Sequence, residues 1–171
     1  MIFLNPEEVL NKIEIKEDMI AADFGCGSGG FTFPLAKKLK KGFVYAVDIQ
    51  ELPLSAMRGR ANMESISNID FILGDIENKL DIQENSLDIV TIINVLFQIE
   101  DKKAVIGEAL RLLKKGGKMI IVDWDKKAKM QLVEEKVSLD EIKEIAKDKG
   151  FAIEEEFKAG THHCGVIFKK I

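Results

Sequence analysis

The chain has little that could staple it or hold it in a bilayer. Among its 171 residues there are two cysteines, Cys26 and Cys164, too few for a disulfide framework and not spaced as a CxxC pair. No apolar run approaches the roughly 18 residues of a membrane span. The opening MIFLNPEEVLNKIEIKED lacks a basic n-region, an apolar core and a cleavage site, so no secretory signal is expected. Internal repeats and low-complexity segments are also missing. The formal net charge of −4 argues against a broad nucleic-acid footprint. The expectation is a cytoplasmic protein in a reducing setting, with no membrane span and with nucleic acid not favoured as a partner. The two histidines, His162 and His163, are adjacent. Neighbours on a strand point to opposite faces, so they do not share a metal ion, and no metal site is expected.

What is present is a regular alternation. With 46% hydrophobic and 32% charged residues, the chain reads as globular rather than disordered. Its length suggests one domain over residues 1–171. Within it, 1–18 reads as an N-terminal cap segment, 19–124 as the core, and 125–171 as a linker, helix and terminal hairpin. The runs MIAADF (19–24), FVYAVDI (43–49), IDFILGD (69–75), SLDIVTII (86–93) and KMIIVDW (118–124) read as strands. Phe31, Leu35 and Leu39 share one helical face in 31–41, with Pro34 in the first turn and Gly42 closing the helix. A helix over 53–65 opens at Pro53. The spacing of Ile106, Ala109, Leu110 and Leu113 predicts a helix over 101–113, ended by Lys114, Lys115 and a C-cap at Gly116-Gly117. Ser138 and Glu141 form a capping box for a helix to about Lys149, closed by Gly150. Residues 151–159 and 163–170 predict an antiparallel hairpin. Strand–helix alternation implies an α/β fold: a Rossmann-like, doubly wound, mostly parallel seven-stranded sheet with an antiparallel C-terminal hairpin. Ligands bind beyond the carboxyl ends of strands in such sheets.

At the first strand end stands DFGCGSGG (23–30), with G-x-G-x-x-G as Gly25, Gly27 and Gly30. Such a loop between strand and helix lets backbone approach a bound nucleotide. Asp48 ends the second strand, 23 residues after Gly25, placed to accept both hydroxyls of a ribose. These features suit NAD and S-adenosylmethionine alike.

The stretches DFGCGSGG, VYAVDI, FILGDIE, SLDIVTIINVLFQIED and LLKKGGKMIIVDW, in this order, resemble the class I S-adenosylmethionine-dependent methyltransferases over residues 19–124. Their flavour is that of the small-molecule, ubiquinone/menaquinone-biosynthesis type. The tail HHCGVIFKK is similar to that family's last strand. Three features separate the chain from a dehydrogenase. Asp23 precedes the first glycine by two positions, where a carboxylate would repel a pyrophosphate. Gly74-Asp75 ends the third strand, where the family places an acid against the adenine amino group. No second domain for a hydride acceptor is expected within the 171 residues.

The resemblance implies the site residues. Asp23 would help hold the amino-acid end of S-adenosylmethionine, and Gly25 and Gly27 would approach its methionine portion, with Cys26 between them. Asp48 would hold the ribose. Ile49 would cover one adenine face, with Gly74, Asp75 and Ile76 at the other face and polar edge. Backbone around Asn94 would meet the ammonium. The product would be S-adenosyl-L-homocysteine.

Catalysis is less defined. Methyl transfer is an in-line displacement that needs positioning, and needs a base only where the acceptor must lose a proton. Relatives often carry VLHHIED after the fourth strand; this chain has VLFQIED, without either histidine. Gln98 orients but is no base near neutral pH. Asn94 lacks the Pro-Pro-aromatic run of N-methyltransferases acting on planar amines. Asn94, Gln98, Asp123 and His162 are the candidates for a catalytic role. Cys26 and Cys164 are expected to pack. A lid is expected from residues 1–18, with Phe3 and Leu4 over the cavity mouth, and from the linker 125–137. Such short segments leave three readings open: a small-molecule substrate, an open site for a macromolecule, or a partner subunit that completes the pocket; a homodimer is also open. The leading reading is methyl transfer to a small molecule. The alternatives are methylation of RNA or protein, and a non-catalytic cofactor-binding partner subunit.

Overall fold

The computed structural model describes residues 4–125 and 138–171. Elements follow the chain as α1 (Pro6–Leu10), β1 (Ile20–Phe24), α2 (Thr32–Lys38), β2 (Phe43–Asp48), α3 (Glu51–Met63), β3 (Ile69–Leu73), β4 (Leu87–Ile93), a 3₁₀ turn (Leu96–Gln98), α4 (Lys102–Leu112), β5 (Leu113–Trp124), α5 (Leu139–Lys149), β6 (Phe151–Ala159) and β7 (His163–Lys170). The strands form one seven-stranded sheet in the order β3-β2-β1-β4-β5-β7-β6. The pairs β3–β2, β2–β1, β1–β4 and β4–β5 are parallel; β5–β7 and β7–β6 are antiparallel. The chain reverses direction across the sheet between β1 and β4, which is where ligand crevices open in this architecture.

Burial explains the composition of the strands. β4 is buried along most of its length because it lies mid-sheet with helices on both faces. One apolar layer joins α4, α5 and the inner face of the sheet through Val105, Ile106, Leu112, Ile142 and Phe168. A second layer, on the other face, joins α1 and α2 through Val9, Leu10, Leu35 and Leu39. Glu7 pairs with Lys38 at 2.9 Å, and Lys12 pairs with Glu155 at 2.5 Å. These contacts fasten α1 to α2, and the segment just after α1 to β6.

Three helix boundaries differ from expectation. α3 begins at Glu51, two residues before Pro53, because a proline still inside the first turn forfeits no helical hydrogen bond. α2 ends at Lys38, and Gly42 does not cap it in the left-handed region. Gly42 is needed for closeness instead: a Cβ there would sit 1.8 Å from the carbonyl oxygen of Met19. α4 ends at Leu112, and its C-cap Leu113 is already extended and starts β5. No glycine cap is required, since Asn85 and Ser86 amides reach the Arg111 and Leu112 carbonyls, and Lys170 Nζ reaches those of Leu110 and Leu113. Lys114 through Gly117 therefore belong to the strand. The capping of α5 matches expectation, with Ser138 Oγ accepting from Glu141 N–H and Gly150 at φ 111°.

Candidate cofactor-binding site

The parallel strands deliver their carboxyl ends to one cavity of 810 Å³. Its rim begins at the glycine loop. The Gly25 and Cys26 amides both donate to the Val47 carbonyl, at 2.8 and 3.0 Å, which folds the loop back over β2. Gly25 has φ +68°, and a Cβ there would lie 2.5 Å from Val95 Cγ2. It is a glycine because the post-β4 segment packs on it, as well as for any ligand. At Gly27, with φ +51°, a Cβ would meet nothing within 4 Å, so its open side faces the cavity it lines.

Asp48 ties two walls together. Its Oδ2 accepts from Gly27 N–H at 2.9 Å and its Oδ1 from Gln50 N–H at 3.0 Å. The Gly74 amide donates to the Asp48 carbonyl, which brings Gly74, Asp75 and Ile76 alongside. Asp75 is braced by the amide of Glu77 and the side chain of Asn78. Ile76 is buried, while Ile49 is 65% exposed at the rim.

Asp23 lies beneath the loop, 3% exposed. Its oxygens accept from Thr32 Oγ1 at 2.6 Å and Thr91 Oγ1 at 2.7 Å. Burial pushes its carboxyl up to about 6, against the lowering effect of those two hydroxyls. Neither threonine was anticipated. Thr91 had a readable signal, as the one hydroxyl in an otherwise aliphatic stretch of β4 (IVTII).

Asn94 leaves β4 at φ +55°, anchored by its amide to the Val122 carbonyl at 2.8 Å. Its side-chain Oδ1 is buried with no hydrogen-bond partner. Gln98 also lines the cavity, as does Cys26, whose thiol burial pushes far up. Gly30, the last glycine of the loop, lines it, and so do Ser28, Phe31, Gln50, Glu77 and His163, which were not anticipated as site residues.

Two expected candidates sit elsewhere. Asp123 is fully buried under the post-β4 segment, accepting from Leu96 N–H at 2.9 Å and Trp124 N–H at 2.8 Å. Burial pushes its carboxyl up to about 6. Both oxygens are engaged in holding backbone, so it does not line the cavity. His162 does not line it either; β7 begins at His163, and strand alternation turns the second histidine toward the cavity instead. Leu4 and Pro6 close one side, whereas Phe3 and residues 126–137 of the expected lid lie outside the described residues.

The donor set has a definite sign. Asp23, Asp48, Asp75 and Glu77 line the cavity, and among the described lining residues there is no lysine or arginine. Carboxylates and an unpartnered Asn94 oxygen fit a ligand that carries positive charge and N–H or O–H donors. They fit the sulfonium, ammonium, ribose and adenine of S-adenosylmethionine, and they do not fit a pyrophosphate. Among the described residues no group of three or more histidine, cysteine or acidic side chains is placed to hold a metal ion. No described helix is long and apolar enough to cross a membrane.

Known proteins share this fold. The family described as "Methyltransferase domain" matches residues 15–162. Phosphoethanolamine N-methyltransferase 1 of Triticum aestivum is 30% identical over 122 residues, 71% of this chain and 24% of that protein. The ubiquinone/menaquinone biosynthesis C-methyltransferase of Hydrogenovibrio crunogenus is 31% identical over 114 residues, 66% of this chain and 44% of that protein. The chain thus spans less than half the length of these two curated relatives. A SAM-dependent methyltransferase from Aquifex aeolicus superposes with a TM-score of 0.89 at 26% identity, over 99% of this chain and 91% of that one. A Rossmann-like seven-stranded sheet, an acid at each of three strand ends and the match over residues 15–162 lead to one assignment: the chain belongs to the class I S-adenosylmethionine-dependent methyltransferase family.

Proposed function

We propose that this chain binds S-adenosylmethionine in the strand-end cavity and transfers its methyl group to a small-molecule acceptor. The observation that carries the reading is the sign of the cavity: four carboxylates, an orphaned amide oxygen, and no cation among the described lining residues. Asp48 is positioned to take the ribose hydroxyls with the lone pairs left after Gly27 and Gln50. Asp75 and the Ile76 backbone meet the polar edge of adenine, with Ile49 and Ile76 on its faces. Asp23, Gly25 and Gly27 surround the methionine portion, and Asn94 receives the ammonium.

When bound, S-adenosylmethionine supplies a methyl group on a positively charged sulfur. The chain's part is positional and electrostatic. The Asp23 and Asp48 carboxylates favour the cationic ligand, the glycine loop allows close backbone approach, and Leu4 with Pro6 shields one flank from water. A phosphomonoester acceptor, as the wheat relative's name specifies, would need a cation that the described lining does not provide. An acidic cavity of this size likewise argues against the RNA backbone as acceptor.

Calorimetry tests the reading. S-Adenosylmethionine and S-adenosylhomocysteine should both bind, and NAD should not. Asp48→Ala removes hydrogen bonds to a charged acceptor, about 1.5–3 kcal/mol, so the affinity should fall about 10- to 100-fold. Binding of NAD in preference to S-adenosylmethionine, or wild-type affinity in Asp48→Ala, would sink it.

A further inference from the structure

The end of the cavity away from the glycine loop contains a side-chain pair that the cofactor does not account for. Trp124 and His163 are register partners at the paired ends of β5 and β7. Their rings lie 4.3 Å apart, centre to centre, at 38°. Both line the cavity. His163 is 7% exposed, and its Nε2 is buried with no hydrogen-bond partner. A buried polar nitrogen left that way calls for a partner, and the space this ring borders is the cavity.

We propose that His163 accepts the proton of the methyl acceptor, and that the acceptor is an uncharged molecule presenting an O–H or N–H to the Trp124–His163 wall. This rests on the reading of the cavity as an S-adenosylmethionine site. The acceptor atom's lone pair forms a bond to the methyl carbon as the carbon–sulfur bond breaks with its electron pair left on sulfur. The acceptor's proton passes to the imidazole, which releases it to solvent after product leaves. Charge balances: one positive charge begins on sulfur and ends on His163.

Two features fit this role. Burial, and to a lesser degree the neighbouring His162, hold His163 below the ordinary histidine value of 6.5, so the ring is neutral and able to accept a proton at pH 7. The surroundings select against anions, since carboxylates line the cavity and no lysine or arginine does among the described residues. Phe31, Ile93 and Ile99 complete walls suited to a flat apolar body.

Trp124 is the only tryptophan in the chain, so its fluorescence reports on this wall directly. The full-length protein, saturated with S-adenosylhomocysteine, is titrated with catechol, aniline and phenyl phosphate. Catechol or aniline should change Trp124 emission saturably, and phenyl phosphate should bind at least about tenfold more weakly, given the lining charge. With S-adenosylmethionine, His163→Gln should lower kcat toward the bound probe by about 100-fold or more, the range of a lost general base. Probe and cofactor affinities should stay within about threefold. His163→Asn provides the same test if the glutamine variant does not fold. No emission change with either uncharged probe, equal or tighter binding of phenyl phosphate, no methyl transfer to the probe that binds, or an unchanged kcat in the folded variant each overturns the proposal. Calorimetry without S-adenosylmethionine binding would instead refute the cofactor reading, which separates the two failures.

Discussion

Burial of Asp23 has a consequence for stability that can be measured without any substrate. An aspartate ordinarily ionises near 3.8, and in the fold this one ionises near 6, because burial disfavours its charged form. The folded state therefore holds the proton more tightly than the unfolded chain. The stabilisation this brings is complete below about pH 3.8 and is lost as the pH rises through about 6. The gap corresponds to about 3 kcal/mol. Asp23→Asn removes the titration. The amide keeps one acceptor for Thr32 or Thr91, and Thr91 Oγ1 already lies 3.5 Å from the Ala22 carbonyl, so it has a second acceptor to turn to. The lost hydrogen bond costs about 1 kcal/mol at any pH. The variant should thus be slightly less stable than the wild type at pH 4 and about 2 kcal/mol more stable at pH 8. For a chain of this length each kcal/mol moves Tm by about 2–4 °C, so the difference between the two melting curves should swing by about 5–10 °C between pH 4 and pH 8. Asp123 titrates similarly in both proteins and cancels in the difference. A Tm difference independent of pH would refute the argument. The same charge attracts a cationic ligand, so S-adenosylmethionine binding by the wild type should weaken below about pH 6 and stay flat in Asp23→Asn.

Two further substitutions probe the scaffold around the cavity. Gly25→Ala should destabilise by about 1–2 kcal/mol from its left-handed backbone and about 1–3 kcal/mol from the contact with Val95; adding Val95→Ala should recover only the second part in urea unfolding. Asp123→Ala strands the buried amides of Leu96 and Trp124, at about 1–3 kcal/mol each. Because ionised Asp123 is itself costly above about pH 6, the loss should be larger at pH 5 than at pH 8, and a loss that grows with pH would show that the carboxylate is stabilised as an anion.

Much of the fold was legible because it is written in short-range periodicity. Apolar runs marked the first five strands, two close segments after Gly150 marked the terminal hairpin, and the spacing of Ile106, Ala109 and Leu110 marked α4. The ends of elements were less legible. The stop of α4 depends on Asn85, Ser86 and Lys170 supplying partners to its last carbonyls, and none of these is near in sequence. Of the expected cofactor residues, Asp23, Gly25, Cys26, Gly27, Asp48, Ile49, Gly74, Asp75, Ile76 and Asn94 all line one cavity. They share it because each ends a parallel strand or follows one, which the alternation of strands and helices implies.

By itself, then, the sequence determined the α/β alternation, the glycine loop after β1 and an acid at each of three strand ends, all local patterns. Tertiary structure decided which groups those residues meet. Asp23 is held by Thr91 because β1 lies beside β4, 68 positions away along the chain. Gly25 is fixed by Val95 for the same reason. Asp123 became a buried brace, and His163 took the place at the cavity expected of His162, because the phase of β7 is set by its pairing with β5. Periodicity specifies a face relative to immediate neighbours in the chain. Strand order and register specify what stands opposite that face, and they are fixed only when distant segments pack together.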